Sequence, residues 1–383
     1  MEYRTMNGSG IRTSVFGIGC MRLPLLKQPD GTTDYGKIDE VLAIAMIRQG
    51  IDAGVTYIDT AYPYHGGNSE IVTGKALQDG YRERVSLATK LPVWQTSQYE
   101  DFGRILDEQL VKLQTDHIDF YLLHSLGRNS WNKVRDLGVL RFLDEAKAAG
   151  KIRQAAFSFH DELSVFQDII NSYDWDMCQI QLNLLDEHYQ AGVEGLAYAG
   201  ERGVNVVIME PLQGGLLAAV PPADIQAVWD RAETRRSQVE WAFRWLADKP
   251  QVKVILSGIN SLAQLQDNLR IFNSTHPGML DDAERQLIRE VQALYRQKLK
   301  VNCTGCRYCV PCPSGVAIPD IFRIYNRYAL FNDLASCRKS YGSQKAHNSD
   351  ASHCIQCGRC EAACPQAIPI ISKLAEADST LRD

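Results

Sequence analysis

The chain of 383 residues holds no apolar run near the roughly 18 residues that a membrane-spanning helix requires. It has no surplus of basic charge either. Its 41 Lys and Arg stand against 46 Asp and Glu, a net charge of −5, which argues against nucleic acid as a partner. The opening Met1-Glu-Tyr-Arg-Thr5 lacks an apolar leader, so the cytoplasm is the expected compartment. There is no internal repeat and no low-complexity stretch, and 45% hydrophobic with 23% charged residues is globular rather than disordered or fibrous. No strand-like run is followed by the glycine fingerprint of a doubly wound dinucleotide fold, Gly17-Ile-Gly19 being too weak a match. Cysteine is almost missing from the first 300 residues, where only Cys20 and Cys178 occur. Nine more then crowd between Cys303 and Cys364.

In a reducing compartment, clustered cysteines read as metal ligands rather than disulfides. The spacing is Cys303-x2-Cys306-x2-Cys309-x2-Cys312-Pro313, followed by Cys354-x2-Cys357-x2-Cys360-x3-Cys364-Pro365. The second run has bacterial ferredoxin spacing, in which three cysteines hold one 4Fe–4S cluster and the fourth, before proline, holds the other. The first run is one residue shorter before its last cysteine. This spacing predicts two 4Fe–4S clusters, one on Cys303, Cys306, Cys309 and Cys364, the other on Cys354, Cys357, Cys360 and Cys312. Structural zinc sites usually use two separated pairs instead. Cys337 has no partner in either run and reads as a packed bystander. Apolar residues at near-helical spacing from Ile318 to Leu330, with Pro319 in the first turn, predict a mainly helical domain between the runs.

The first 300 residues alternate. Strand-like runs at Ser14–Gly19, Val55–Asp59, Val85–Lys90, Ile118–His124, Arg153–Ser158, Asp176–Gln181, Val204–Met209 and Val252–Ser257 are separated by helical stretches such as Ile38–Ala53, Phe102–Leu113, Val139–Ala149 and Glu233–Asp248. Eight such units predict an α/β fold, a (β/α)8 TIM barrel, with residues 3–13 as a hairpin closing its floor. Active-site groups then belong at the C-terminal strand ends. Those ends supply Cys20, Asp59 with Tyr64, Lys90, His124, Ser158, Gln179, Glu210 and Ser257. Singly, an Asp is a helix cap and a His a core residue; together at one mouth, Asp59, Tyr64, Lys90 and His124 form a candidate catalytic set. Arg4, Arg22, Arg128, Trp94 and Trp131 are further candidates for the mouth.

At these positions the sequence resembles the aldo/keto reductases. Asp59-Thr-Ala-Tyr-Pro-Tyr64, Ala88-Thr-Lys90 and Asp119-Phe-Tyr-Leu-Leu-His124 match three family motifs, and the likeness covers roughly residues 1–275. The tail is similar to that of a subfamily in which the barrel is fused to a helical 4Fe–4S domain. The resemblance implies a barrel over 1–275, a connecting helix over 276–300 and a ferredoxin-type domain over 301–383. It implies an NAD(P)H-dependent carbonyl or alcohol oxidoreductase with Tyr64 as general acid or base. It further implies nicotinamide contacts at Ser158 and Gln179, although Phe159 stands where the family has Asn. Gly214 and Gly215 fall in the loop that passes over the pyrophosphate. Ser257, Gly258, Gln264 and Asn268 fall at the adenosine-phosphate site. Gly258 and Gln264 replace basic residues of many members, which leaves NADP(H) and NAD(H) both open, with Arg270 as a substitute cation.

The chemistry of the four residues follows from elementary acid–base behaviour. A carbonyl taking up hydride builds negative charge that needs a proton. A phenol with a pKa near 10 is protonated but weakly acidic, and an adjacent ammonium stabilises its phenolate. Lys90 can do this for Tyr64, Asp59 can hold Lys90, and His124 can donate a hydrogen bond to the carbonyl oxygen. Hydride moves two electrons whereas a cluster moves one, a step that a flavin usually bridges, and a barrel phosphate site is compatible with FMN. Three readings follow. The chain is a carbonyl reductase with accompanying clusters; or an oxidoreductase exchanging single electrons with a ferredoxin-type partner; or an electron-carrying module with a vestigial barrel site. The expected partners are a small carbonyl or alcohol substrate and that redox carrier, with no nucleic acid and no membrane.

Overall fold

A computed structural model describes residues 1–28 and 33–382. Eight strands close into a parallel barrel: β1 Phe16–Gly19, β2 Tyr57–Asp59, β3 Ser86–Leu91, β4 Ile118–Leu126, β5 Ile152–Phe159, β6 Met177–Gln181, β7 Asn205–Met209 and β8 Val252–Gly258. Each pairs with its sequence neighbours, and β8 returns to β1 through Ile255–Phe16 and Ser257–Ile18. Most strand residues are buried, throughout in Ser86–Leu91, because a parallel sheet closed on itself and covered by helices exposes neither face. The interior is filled by Tyr57, Ala88, Phe120, Leu122, Ala156, Met177, Val207 and Val254, with Met6 packed among them.

Met6 arrives on the hairpin expected at the floor, in which Tyr3–Thr5 pairs antiparallel with Arg12–Ser14. Arg4 corrects the sequence reading. Its guanidinium is buried and donates to the carbonyls of Lys249, Val252 and Ala247, at the start of β8, so it locks the floor and is not a mouth residue. Trp131 is likewise buried, edge-on to Trp175 at 6.3 Å, and serves packing. A second hairpin, Leu25–Lys27 with Thr33–Ile38, follows β1.

The chain divides into two compact units, 1–211 with 243–280 and 212–242 with 281–383. Residues 212–242, after β7, group with the C-terminal part. In that second unit Asp281 caps Asp282–Lys298 by accepting from the Glu284 amide at 2.7 Å. The helix is packed rather than free: Tyr295 donates to Gln238 at 2.8 Å and Lys298 pairs with Asp224 at 3.0 Å. Helices Ile318–Phe331, Leu334–Ala346 and Ile370–Leu381 bury Ile321, Phe322, Tyr341, Leu374 and Cys337, so Cys337 is a core residue. No helix among the described residues is long and apolar enough to cross a membrane.

Candidate active site and cysteine cavities

The ends of β2, β3 and β4 carry three of the four catalytic candidates, and Tyr64 follows β2 on a short turn. Lys90 Nζ donates to Asp59 Oδ1 at 2.6 Å and to the Thr60 carbonyl at 2.8 Å. Both side chains are almost sealed, Lys90 at 1% exposure and Asp59 at 3%. Burial pushes the Asp59 carboxyl up, opposed by the charge and hydrogen bond of Lys90 and by the Gln179 amide, which donates to Asp59 Oδ2 at 3.0 Å. The Lys90 ammonium lies 5.1 Å from the centre of the Tyr64 ring. His124 meets that ring edge-on, centroids 6.0 Å apart at 82°. Trp94 also packs against His124, ring centroids 5.1 Å apart. Burial, then the Lys90 charge, holds the His124 pKa well below the ordinary imidazole range, so the ring is neutral.

The backbone at His124 is shaped by the next residue. Ser125 is left-handed at φ 57°, and the β4–β5 register shifts between Leu123 and Leu126. A serine in that region is strained, and the Ser125 amide is pinned by donating to Ser158 Oγ at 2.7 Å. Cys20, at the end of β1, is a sealed thiol pushed up to about 12 by burial, which removes it as a nucleophile.

Other residues of the site carried no signal that the motifs picked up. Glu70, fully buried, accepts from Thr89 Oγ1 and Gln109 Nε2, each at 2.6 Å, and Gln109 also donates to the Lys90 carbonyl at 3.0 Å. This network fixes Lys90 from behind. His160, just past β5, contributes to the low pKa of His124, and burial pushes its own pKa down to about 4. Its sequence signal was a polar residue beyond a strand end already in use. His65, directly after Tyr64, is 1% exposed.

Buried His65 and His124 and half-buried His160 thus have lowered pKa values. Unfolded, they would take up protons below about 6.5; folded, they resist until lower pH. The unfolded state then binds more protons, so stability falls as pH drops from 7 toward 4. A His160→Gln variant is expected to show a shallower decline of melting temperature between pH 7 and pH 5 than the parent protein.

The expected cofactor contacts are all engaged within the fold. Asn268 Nδ2 donates to Ser257 Oγ at 2.8 Å, and Gln264 Oε1 accepts from the Asn260 amide at 2.9 Å. Arg270 pairs with Asp267 at 2.9 Å on the surface. The side chain of Arg22 instead lies along Gly258, 3.2–3.3 Å from where a Cβ would stand. In the second unit, Gln213, Gly214 and Gly215 are consecutively left-handed at φ 45°, 65° and 102°. A Cβ on Gly214 would meet the Thr304 carbonyl at 1.9 Å, a packing reason for glycine there.

The cysteines ring two cavities. Cys303, Cys306, Cys309 and Cys364 line one; Cys309, Cys312, Cys354, Cys357 and Cys360 line the other. Burial first, then the thiols of Cys303 and Cys364, pushes the Cys309 thiol up to about 12. Such a thiol suits a cationic iron–sulfide group, which lowers thiol pKa. Among the described residues no three His, Cys, Asp or Glu stand close enough to hold one metal ion.

Comparison with known proteins agrees with this geometry. Residues 17–292 match the model of the aldo/keto reductase family, and residues 302–369 match a 4Fe-4S dicluster domain. An aldo-keto reductase of Bacillus subtilis, YhdN, is 29% identical over 277 residues, covering 69% of this chain and 76% of that protein. The NADH-specific methylglyoxal reductase of Escherichia coli is 26% identical over 309 residues, covering 68% and 91%. Among solved structures, the aldo-keto reductase AKR11C1 of Bacillus halodurans superposes with a TM-score of 0.63 at 25% identity, over 76% of this chain and 96% of that one. With a barrel match across most of its length and an iron–sulfur domain after it, the chain belongs to the aldo/keto reductase family.

Proposed function

We propose that the barrel reduces the carbonyl of a small aldehyde or ketone, with Tyr64 as the proton donor. The observation that carries this is the buried Asp59–Lys90 pair 5.1 Å behind the Tyr64 ring, with neutral His124 edge-on beside it. Lys90 stabilises the phenolate that Tyr64 leaves as it gives up its proton. Asp59 and the Thr60 carbonyl hold Lys90 in place. A neutral His124 can donate one N–H to the substrate oxygen without competing as an acid. Ser158, Gln179, Ser257, Gly258, Gln264 and Asn268 would line the nicotinamide nucleotide. When bound, that nucleotide supplies two electrons as a hydride. A panel of carbonyl compounds tested with both nucleotides checks the reading, and methylglyoxal is the first to try because a relative is named for it. No nucleotide oxidation with any of them would refute it.

NADPH use rests on Arg22 in this reading, since its side chain crosses Gly258. A charge-assisted bond to a 2′-phosphate is worth about 1.5–3 kcal/mol. Arg22→Ala is therefore expected to lower kcat/KM with NADPH at least about tenfold more than with NADH. Equal losses with both would remove Arg22 from this role.

The two cysteine-lined cavities favour a second element: two 4Fe–4S clusters, on Cys303, Cys306, Cys309 and Cys364 and on Cys312, Cys354, Cys357 and Cys360. They would exchange single electrons with a ferredoxin-type carrier, with FMN as the bridge to two-electron chemistry. A visible spectrum with iron, sulfide and flavin counts after anaerobic purification tests this; a flavin-free protein with full reductase activity after cluster removal would argue against the coupling.

A further inference from the structure

We infer that His65 is a positioning residue for Tyr64, acting as a neutral imidazole locked in its Nδ1–H tautomer. The inference rests on the reading of Tyr64 as proton donor. His65 is the next residue in the chain and is sealed at 1% exposure. Its two ring nitrogens have partners of opposite kind. The Leu23 amide, which can only donate, lies 3.2 Å from Nε2. The Tyr35 carbonyl, which can only accept, lies 2.9 Å from Nδ1. The Leu23 amide at Nε2 and the Tyr35 carbonyl at Nδ1 favour the tautomer with its proton on Nδ1, while the backbone of Cys20 and Met21 also bears on the ring. The ring also stacks on Tyr35, centroids 4.6 Å apart at 20°.

These bonds stitch the Tyr64 turn to two segments far away in sequence: the stretch after β1 and the hairpin strand Thr33–Ile38. Asn68 adds a third stitch by donating to the Gly36 carbonyl at 2.9 Å. The turn needs such anchoring. His65 and Gly66 are left-handed at φ 53° and 64°, and Gly67 follows at φ 95°. A non-glycine residue in that region costs energy and is held there by its surroundings. Beside the Tyr64 amide's bond to the Ala61 carbonyl, the imidazole fixes the backbone from which the phenol projects.

The test uses the full chain with its iron–sulfur complement, the best aldehyde of the panel, and NADH. His65→Phe keeps a ring against Tyr35 and loses both hydrogen bonds. Its kcat is expected to fall about 10²-fold, the scale of an ångström misplacement of a reacting group, while NADH affinity by fluorescence quenching stays within about twofold. His65→Gln, whose amide offers one acceptor and one donor, is expected to regain at least about tenfold of that loss. Histidine ¹⁵N spectra of the unsubstituted protein should show a neutral Nδ1–H ring at pH 7, a readout that holds even if His65→Phe fails to fold. An Nε2–H or doubly protonated ring, an unchanged kcat in His65→Phe, or a parallel loss of NADH affinity would overturn the inference. Failure of the Tyr64 reading is a separate result: Tyr64→Phe would then retain activity while the His65 tautomer stays as stated.

Discussion

Tyr64→Phe is expected to cut kcat/KM for carbonyl reduction by about 10²–10⁴-fold, the usual worth of a positioned general acid. Phenylalanine keeps the ring that Lys90 faces at 5.1 Å and His124 meets edge-on, and removes only the hydroxyl. The substitution thus deletes the proton donor while leaving the packing of the site. Nucleotide affinity and iron content should not change, which separates loss of chemistry from loss of structure. Removing Lys90 instead would be a poorer experiment. It would leave Asp59, itself 3% exposed, as an unpaired buried charge, and stranding one partner of such a pair costs about 3–5 kcal/mol. A loss below about tenfold in Tyr64→Phe would mean that another group delivers the proton.

The barrel and the candidate set at its mouth were legible because their signals are local. Hydrophobic runs separated by amphipathic stretches gave all eight strands, and the C-terminal ends of three successive strands gave Asp59, Lys90 and His124. What stayed hidden depends on contacts across long sequence separations. Arg4 sits near a strand in sequence, yet its carbonyl partners lie some 245 residues away at the opposite end of the barrel from the mouth. Trp131 follows β4 and could have lined a pocket, but Trp175 claims it for packing. His65 and His160 have no motif of their own; only folding shows that one bonds Leu23 and Tyr35 and that the other bears on His124. The placement of residues 212–242 with the C-terminal unit was equally invisible, because it rests on pairs such as Gln213 with Asn302 and Gln238 with Tyr295.

The cysteine runs make a prediction that single substitutions cannot test. If each run held its own cluster, Cys312 and Cys354 would serve different clusters, and replacing both with alanine would strip all iron. The cavities suggest the interleaved arrangement, with Cys312 beside Cys354, Cys357 and Cys360, and Cys364 beside Cys303, Cys306 and Cys309. The Cys312→Ala, Cys354→Ala double variant then damages one cluster only, and iron should fall from about eight to about four per chain rather than to none. Cys303→Ala with Cys364→Ala should do the same at the other site, whereas Cys364→Ala with Cys354→Ala should leave almost no iron. The loss has a structural consequence as well. Several of these cysteines pack against the core of Ile321, Phe322 and Leu374, so an unfilled cavity removes support from three helices at once. Metal-site binding energy is also folding energy, so each double variant should lower the melting temperature of the second unit. The barrel tetrad, drawn from residues before Ser125, would keep its own geometry. Iron counts that follow contiguous pairing would refute the interleaving and reassign Cys312 and Cys364 to their own runs.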